Sequence, residues 1–189
     1  MGQKIGKASF EEDAKPFLNL PAPAINAVWT KFNLSAEAWG LRTPGFTNIC
    51  KPLAPFMSLD EAIMDEKALA LFKLLDTDMN DIVDALEFMA TLAMVSAMEP
   101  ADKVKFIYTV YDFSESGALL VDEITMAVKS TVEGLCKVSK LPPPAVAQFE
   151  DLAKLAFKGA GKVNVLHEVG RAECILFVKN FVTDGAAAR

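Results

Sequence analysis

The chain has 189 residues, 52% hydrophobic and 23% charged, which is enough apolar material for one packed domain or two small lobes sharing a core. A balance of 19 basic against 25 acidic residues gives a net charge of −6 and a pI near 4.9, so no long-range field favours nucleic acid or a bare anionic membrane, and cationic partners fit it better. Cys50, Cys136 and Cys174 form no close pair, which fits a reducing, cytoplasmic compartment; no apolar stretch approaches the ~20 residues of a membrane helix and no secretory h-region is visible, so neither insertion nor secretion is expected.

Residues 1–23 carry Gly2, Gly6, Pro16, Pro21 and Pro23 without periodicity and read as an N-terminal arm holding little fold information. Ala24 to Asn33 has Ile25, Val28, Trp29 and Phe32 at the spacing of an apolar helical stripe. Pro44, Gly45, Pro52 and Pro55 then break regular structure. Ser58-Leu59-Asp60-Glu61 offers a capping box, which predicts a helix starting at about Ser58. Its stripe runs through Leu71, Phe72 and Leu75 to an acidic segment, Asp76–Glu87, after which Phe88, Leu92 and Val95 resume it.

Glu99-Pro100 marks the next start, since proline is tolerated where a first-turn N–H has no partner. Val104, Ile107, Tyr108 and Tyr111 form its stripe, leading to a second acidic segment, Asp112–Glu123, and a helix through about Cys136. Leu141-Pro142-Pro143-Pro144 is a stiff break. It is followed by a helix near Ala145–Phe157, a Gly/Lys loop, a last helix near Arg171–Phe181 and a tail, 184–189. Alternation of period two is almost absent, so the expected class is all-α.

Chemistry concentrates in the two acidic segments. Asp76, Asp78, Asn80, Asp84 and Glu87 stand at the first, third, fifth, ninth and twelfth positions of the first, with Ile82 offering its backbone carbonyl at the seventh and Val83 pointing into the core. A hard cation wanting six to eight oxygens needs such a spacing, and the ion expected is calcium. The second segment begins 36 residues later and repeats the plan with Asp112, Ser114, Ser116, Ala118 (by its carbonyl) and Glu123, with Leu119 at the hydrophobic eighth position. Solvated acidic turns between helices are the bland alternative. Asp81 stands at the sixth position, where a sharp turn wants positive φ, at a cost on the order of 1 kcal/mol to a non-glycine residue. The second loop has Gly117 there but fewer carboxylates, so its affinity should be weaker.

Both segments match the EF-hand loop, and their interval resembles that of consecutive hands in calmodulin-like proteins. Trp29–Phe46 can be laid on the same template with Leu41 at the eighth position, but Leu34, Ala36, Ala38 and Gly45 then stand where ligands belong; residues 152–167 contain no acidic side chain. Four hands with only the middle two competent resemble the neuronal calcium sensor family. That resemblance implies two helix-loop-helix pairs, 24–99 and 100–183, with degenerate outer hands, and calcium-switched exposure of an apolar groove. Tyr111–Gly117 continuing to Leu135-Cys136-Lys137 also looks like EF-hand proteins of ciliary axonemes, which implies a structural role.

Two functions are expected on this reading. One is a cytoplasmic calcium-binding regulator that takes a protein partner, a helix, in a calcium-dependent way. The other is a constitutive adaptor on a cytoskeletal or axonemal assembly, with weak or vestigial calcium binding. Gly2-Gln3-Lys4-Ile5-Gly6 begins as a myristoylation signal does, with Gly6 replacing the stricter Ser/Thr; membrane contact is expected only if Gly2 is acylated. Met64, Met89, Met94, Met98 and Met126 suit either core filling or a groove that repacks around targets. His167 is the only histidine and has no partner at zinc spacing, and no nucleophile elbow, P-loop or dinucleotide fingerprint nominates an enzyme.

Overall fold

Proline sets where many of the helices begin. The computed structural model describes residues 9–35, 38–159, 169–173 and 175, and α1 (Ala22–Leu34) carries Pro23 in its first turn. After a two-residue strand β1 (Gly40–Leu41), Pro44, Pro52 and Pro55 each occupy the second position of a short helix: α2 (Thr43–Cys50), a 3-10 turn (Lys51–Leu53) and α3 (Ala54–Met57). The run expected to break regular structure therefore restarts it. A first-turn residue has no N–H partner to lose, and the fixed φ of proline is already helical.

The capping box expected at Ser58 does not form. Ser58 lies in the left-handed region (φ 55°) as the C-cap of α3, and Asp60 instead caps α4 (Glu61–Leu75), its Oδ1 accepting from the Ile63 N–H at 2.9 Å. Asp60 is the stronger acceptor and sits one residue before the helix, where an Ncap must stand. Strand β2 (Val83–Asp84) and α5 (Ala85–Val95) follow, then α6 (Pro100–Tyr111), strand β3 (Ala118–Leu119), α7 (Val121–Ser139), α8 (Val146–Gly159) and strand β4 (Val169–Gly170). The chain is mostly helical and all-α in class. No helix among the described residues is long and apolar enough to cross a membrane. Gly2, His167, Cys174 and the greater part of the expected last helix lie outside the described residues.

The short strands tie distant loops together. β1 pairs antiparallel with β2, Gly40 opposite Asp84 and Leu41 opposite Val83, while β3 pairs with β4, Ala118 opposite Gly170 and Leu119 opposite Val169. Leu41, Val83, Leu119 and Val169 are all buried, so each two-residue ladder is also an apolar plug beneath its loop.

α5 is the core helix, with every residue from Ala85 to Ala93 buried. A helix covered on all sides has no solvent face to give it an amphipathic stripe. α6 also departs from the single stripe expected, since Phe106 and Val110 are buried beside Tyr108 and Tyr111 while Ile107 is only partly so. The N-terminal arm takes part in this core. Ala14, Phe17 and Leu20 are buried, Glu11 N–H donates to Val138 O, Asn19 N–H to Val95 O and Ala97 N–H to Leu20 O, all at 2.9 Å. The segment shows little periodicity because its regular structure is a single 3-10 turn, Lys15–Phe17, and it bonds to the ends of α5 and α7.

The most extensive helix contact joins α5 to α7. Gly134 sits at its tightest point: a Cβ there would stand 1.7 Å from Thr91 Oγ1 and 3.2 Å from Glu87 Cγ. Gly134→Ala should therefore destabilise the protein by about 1–3 kcal/mol through overpacking, despite the better helix propensity of alanine. In thermal or urea denaturation, adding Thr91→Ala to that variant should recover part of the loss, since the hydroxyl it removes is the atom in the way.

Candidate metal centre

The two acidic loops share one hydrogen-bond scheme. In the first, Asp76 Oδ1 accepts from the Asn80 N–H and Oδ2 from the Asp81 N–H, both at 3.1 Å; in the second, Asp112 Oδ1 accepts from the Ser116 N–H at 3.0 Å and Oδ2 from the Gly117 N–H at 2.9 Å. The leading aspartate ends the preceding helix in each case, its N–H donating to Phe72 O at 2.8 Å or Tyr108 O at 3.0 Å. The fourth and sixth positions take positive φ in both: Met79 (58°) and Asp81 (59°), Glu115 (54°) and Gly117 (74°). An aspartate that gathers the amides of the fifth and sixth residues closes the chain into a turn with alternate side chains brought round together.

The remaining expected ligands are placed as follows. In the first loop Asp78 Oδ2 accepts from Asn80 Nδ2 at 2.9 Å, and Asn80 Oδ1 accepts from the Ile82 N–H at 2.8 Å. Asp84 is the Ncap of α5, its Oδ1 accepting from the N–H groups of Leu86 at 2.7 Å and Glu87 at 3.0 Å. In the second loop Ser116 Oγ donates to Ala118 O at 2.9 Å, Ser114 is exposed, and Glu123 Oε2 accepts from the Leu120 N–H at 2.9 Å, capping its own helix.

Glu87 behaves differently from Glu123. It is only 7% exposed, and its Oε1 and Oε2 lie 2.8 and 3.1 Å from Lys137 Nζ on α7. Burial pushes its carboxyl above the usual carboxylate range, opposed by the hydrogen bond and charge of Lys137. Oε1 has the ion contact but no hydrogen bond of good geometry. Among the described residues no three Asp, Glu, His or Cys side chains converge on one point. The donor chemistry fits a hard cation nonetheless: every side-chain donor is an oxygen, and one is a buried carboxylate oxygen without a full complement of partners.

Two sets of contacts around the first loop carry no signal in the sequence pattern. Lys137 is separated from Glu87 by 50 residues, and it lines an open cleft of about 330 Å³ with Trp39, Asp78, Asn80 and Asp84. Asp81, which at sequence level is only a residue where glycine is usual, accepts from Thr43 Oγ1 at 2.9 Å and from Arg42 Nη1 at 3.3 Å, tying the loop to the start of α2. A ring series from Trp29 through Phe32, Trp39 and Phe113 to Tyr111, with centroids 5.2–6.1 Å apart, joins α1 to the second loop. Of the methionines, Met64 and Met89 fill the core, Met98 packs partly against it and Met126 is exposed. Cys50 is buried and its thiol is pushed up by that burial, with Asp65 adding to it.

No protein-family model matches the chain. Three curated proteins of Dictyostelium discoideum are similar to parts of it. Calcium-binding protein J is 39% identical over 54 residues, 29% of this chain and 28% of that protein. Calcium-binding protein K-like is 35% identical and calcium-binding protein K 31% identical, each over 77 residues and 41% of this chain, covering 40% and 38% of their own lengths. The aligned stretches thus span less than half of each relative.

The contacts of Asp81 predict different outcomes for two substitutions. Asp81→Ala keeps the left-handed backbone and loses both contacts, so it should cost about 1–2 kcal/mol. In Asp81→Gly the relief of strain offsets the lost contacts, and stability should stay within about 1 kcal/mol of the parent; urea denaturation of the three proteins in calcium-free buffer tests the difference.

Proposed function

We propose that this chain is an intracellular EF-hand calcium-binding regulator with two helix-loop-helix pairs, 24–99 and 100–183, that acts by binding and not by catalysis. The observation that carries the reading is the shared hydrogen-bond scheme of Asp76–Glu87 and Asp112–Glu123, two loops distant in sequence that close on themselves in the same way. The strand pairing of Leu41 with Val83 and of Leu119 with Val169 supports a pairing of each loop with a ligand-free neighbour. The names of the similar Dictyostelium proteins support the choice of ion.

In the first loop Asp76, Asp78, Asn80, Asp84 and Glu87, with the Ile82 carbonyl, would hold the ion. Asp112, Ser114, Ser116, Glu123 and the Ala118 carbonyl would do so, more weakly, in the second. Calcium supplies a compact divalent charge that takes six to eight oxygens. Release of Glu87 and Glu123 from their present partners frees the starts of α5 and α7 to tilt, and the apolar surface so exposed receives a helix of a protein partner. The constitutive adaptor is the second reading, favoured by the self-capped Glu123 and by the serine ligands of the second loop.

Calorimetric titration with calcium in millimolar magnesium tests this. Binding in the range of about 10⁻⁷–10⁻⁵ M is expected. Glu87→Gln should weaken the tighter event by one to two orders of magnitude, roughly 1.4–2.8 kcal/mol, and Glu123→Gln should affect only the weaker one. Heat seen only near millimolar calcium, or none, would transfer the assignment to the adaptor.

A further inference from the structure

We propose that Lys137 is an internal competitor for the Glu87 carboxylate, so that cation binding in the first loop and close docking of α7 on α5 exclude one another. The inference rests on reading Asp76–Glu87 as a cation site. It names a residue that sets that site's affinity although it belongs to neither loop.

Three observations converge on it. The Lys137 ammonium lies within 3.1 Å of both Glu87 oxygens, and its side chain is only 26% exposed, so this is a partly desolvated ion pair and not a solvated surface contact. Lys137 also lines the open cleft bordered by Asp78, Asn80 and Asp84, so a tethered cation is attached beside the loop where oxygen donors are concentrated. Finally, Gly134, one helical turn before Lys137, brings the α7 backbone against the Glu87 stem and Thr91, which leaves the glutamate little room to swing while the helices stay in contact.

The second loop supplies the contrast. Among the described residues Glu123 bonds only locally, to Leu120 N–H, and breaking that bond moves no neighbouring helix. Glu87 has the opposite problem. Turning to a cation in its own loop leaves Lys137 partly desolvated beside α5 without this carboxylate, which a low-dielectric site penalises, and the penalty is relieved when α7 withdraws and Lys137 reaches water. By linkage, whatever factor the ion pair takes from cation affinity, cation binding takes from the α5–α7 contact. Release of α7 is thereby coupled to the first loop.

The test uses the full chain, titrated with calcium alone by calorimetry and followed by tryptophan emission, since Trp39 borders the cleft. Lys137→Met should raise the affinity of the tighter site about tenfold, toward the lower end of the usual range for coupled sites, while lowering stability in calcium-free buffer because Glu87 is left unpaired. Lys137→Arg, which keeps the charge, should hold the parental affinity or weaken it. A merely structural lysine would lower both quantities together. Lys137→Gln repeats the measurement if the methionine variant does not fold. Binding that is unchanged or weaker in both neutral variants overturns the competitor and leaves the loop assignment standing. Absence of calcium binding in the parent and in the neutral variants overturns both.

Discussion

A helix that is apolar on every side must be covered on every side, and the rest of this structure follows from that requirement on α5. Ala85 to Ala93 are all buried, so neighbouring segments have to approach from all around. α7 crosses at Gly134, where absence of a side chain permits the approach; α6 and α1 pack elsewhere on it, and the N-terminal arm buries Phe17 and Leu20 in the same core and bonds to Val95 O at the end of α5. Glu87 is buried because it stands in the first turn of this helix. Its ion pair with Lys137 is the polar consequence of an otherwise apolar requirement.

The loops are held by a second, more local constraint. A leading aspartate collects two backbone amides, and a buried aliphatic residue at the eighth position pairs across a two-residue ladder. These features shape the turn through the chain's own hydrogen bonds, while the twelfth residues bond elsewhere, Glu87 to Lys137 and Glu123 to the Leu120 N–H. Asp81 shows how a departure from the ideal pattern is absorbed: the left-handed backbone is retained, and the carboxylate that replaces a hydrogen atom finds Thr43 and Arg42. The ring series through Trp39 and Phe113 adds a direct contact between the regions of the two loops.

Much was legible in the sequence because the relevant physics is local. Helical stripes, the break at Leu141–Pro144, the proline start at Pro100 and the oxygen spacing within each acidic segment depend on residues within a few positions of one another. Where local rules competed, the sequence misled. Ser58 and Asp60 both satisfy a capping pattern and only one can be the Ncap; the run from Pro44 to Pro55 is equally compatible with broken helix and with helix restarted three times.

By itself the sequence determined the all-α class, the position of the acidic segments and the chemical type of their donors, since periodicity and side-chain chemistry are properties of neighbours along the chain. Tertiary structure alone decided that the N-terminal arm belongs to the core, that Asp81 anchors the loop and that Glu87 turns to Lys137. Each of these needs two segments that are distant in sequence to be brought together, and the 50 residues between Glu87 and Lys137 carry no periodic mark of that meeting.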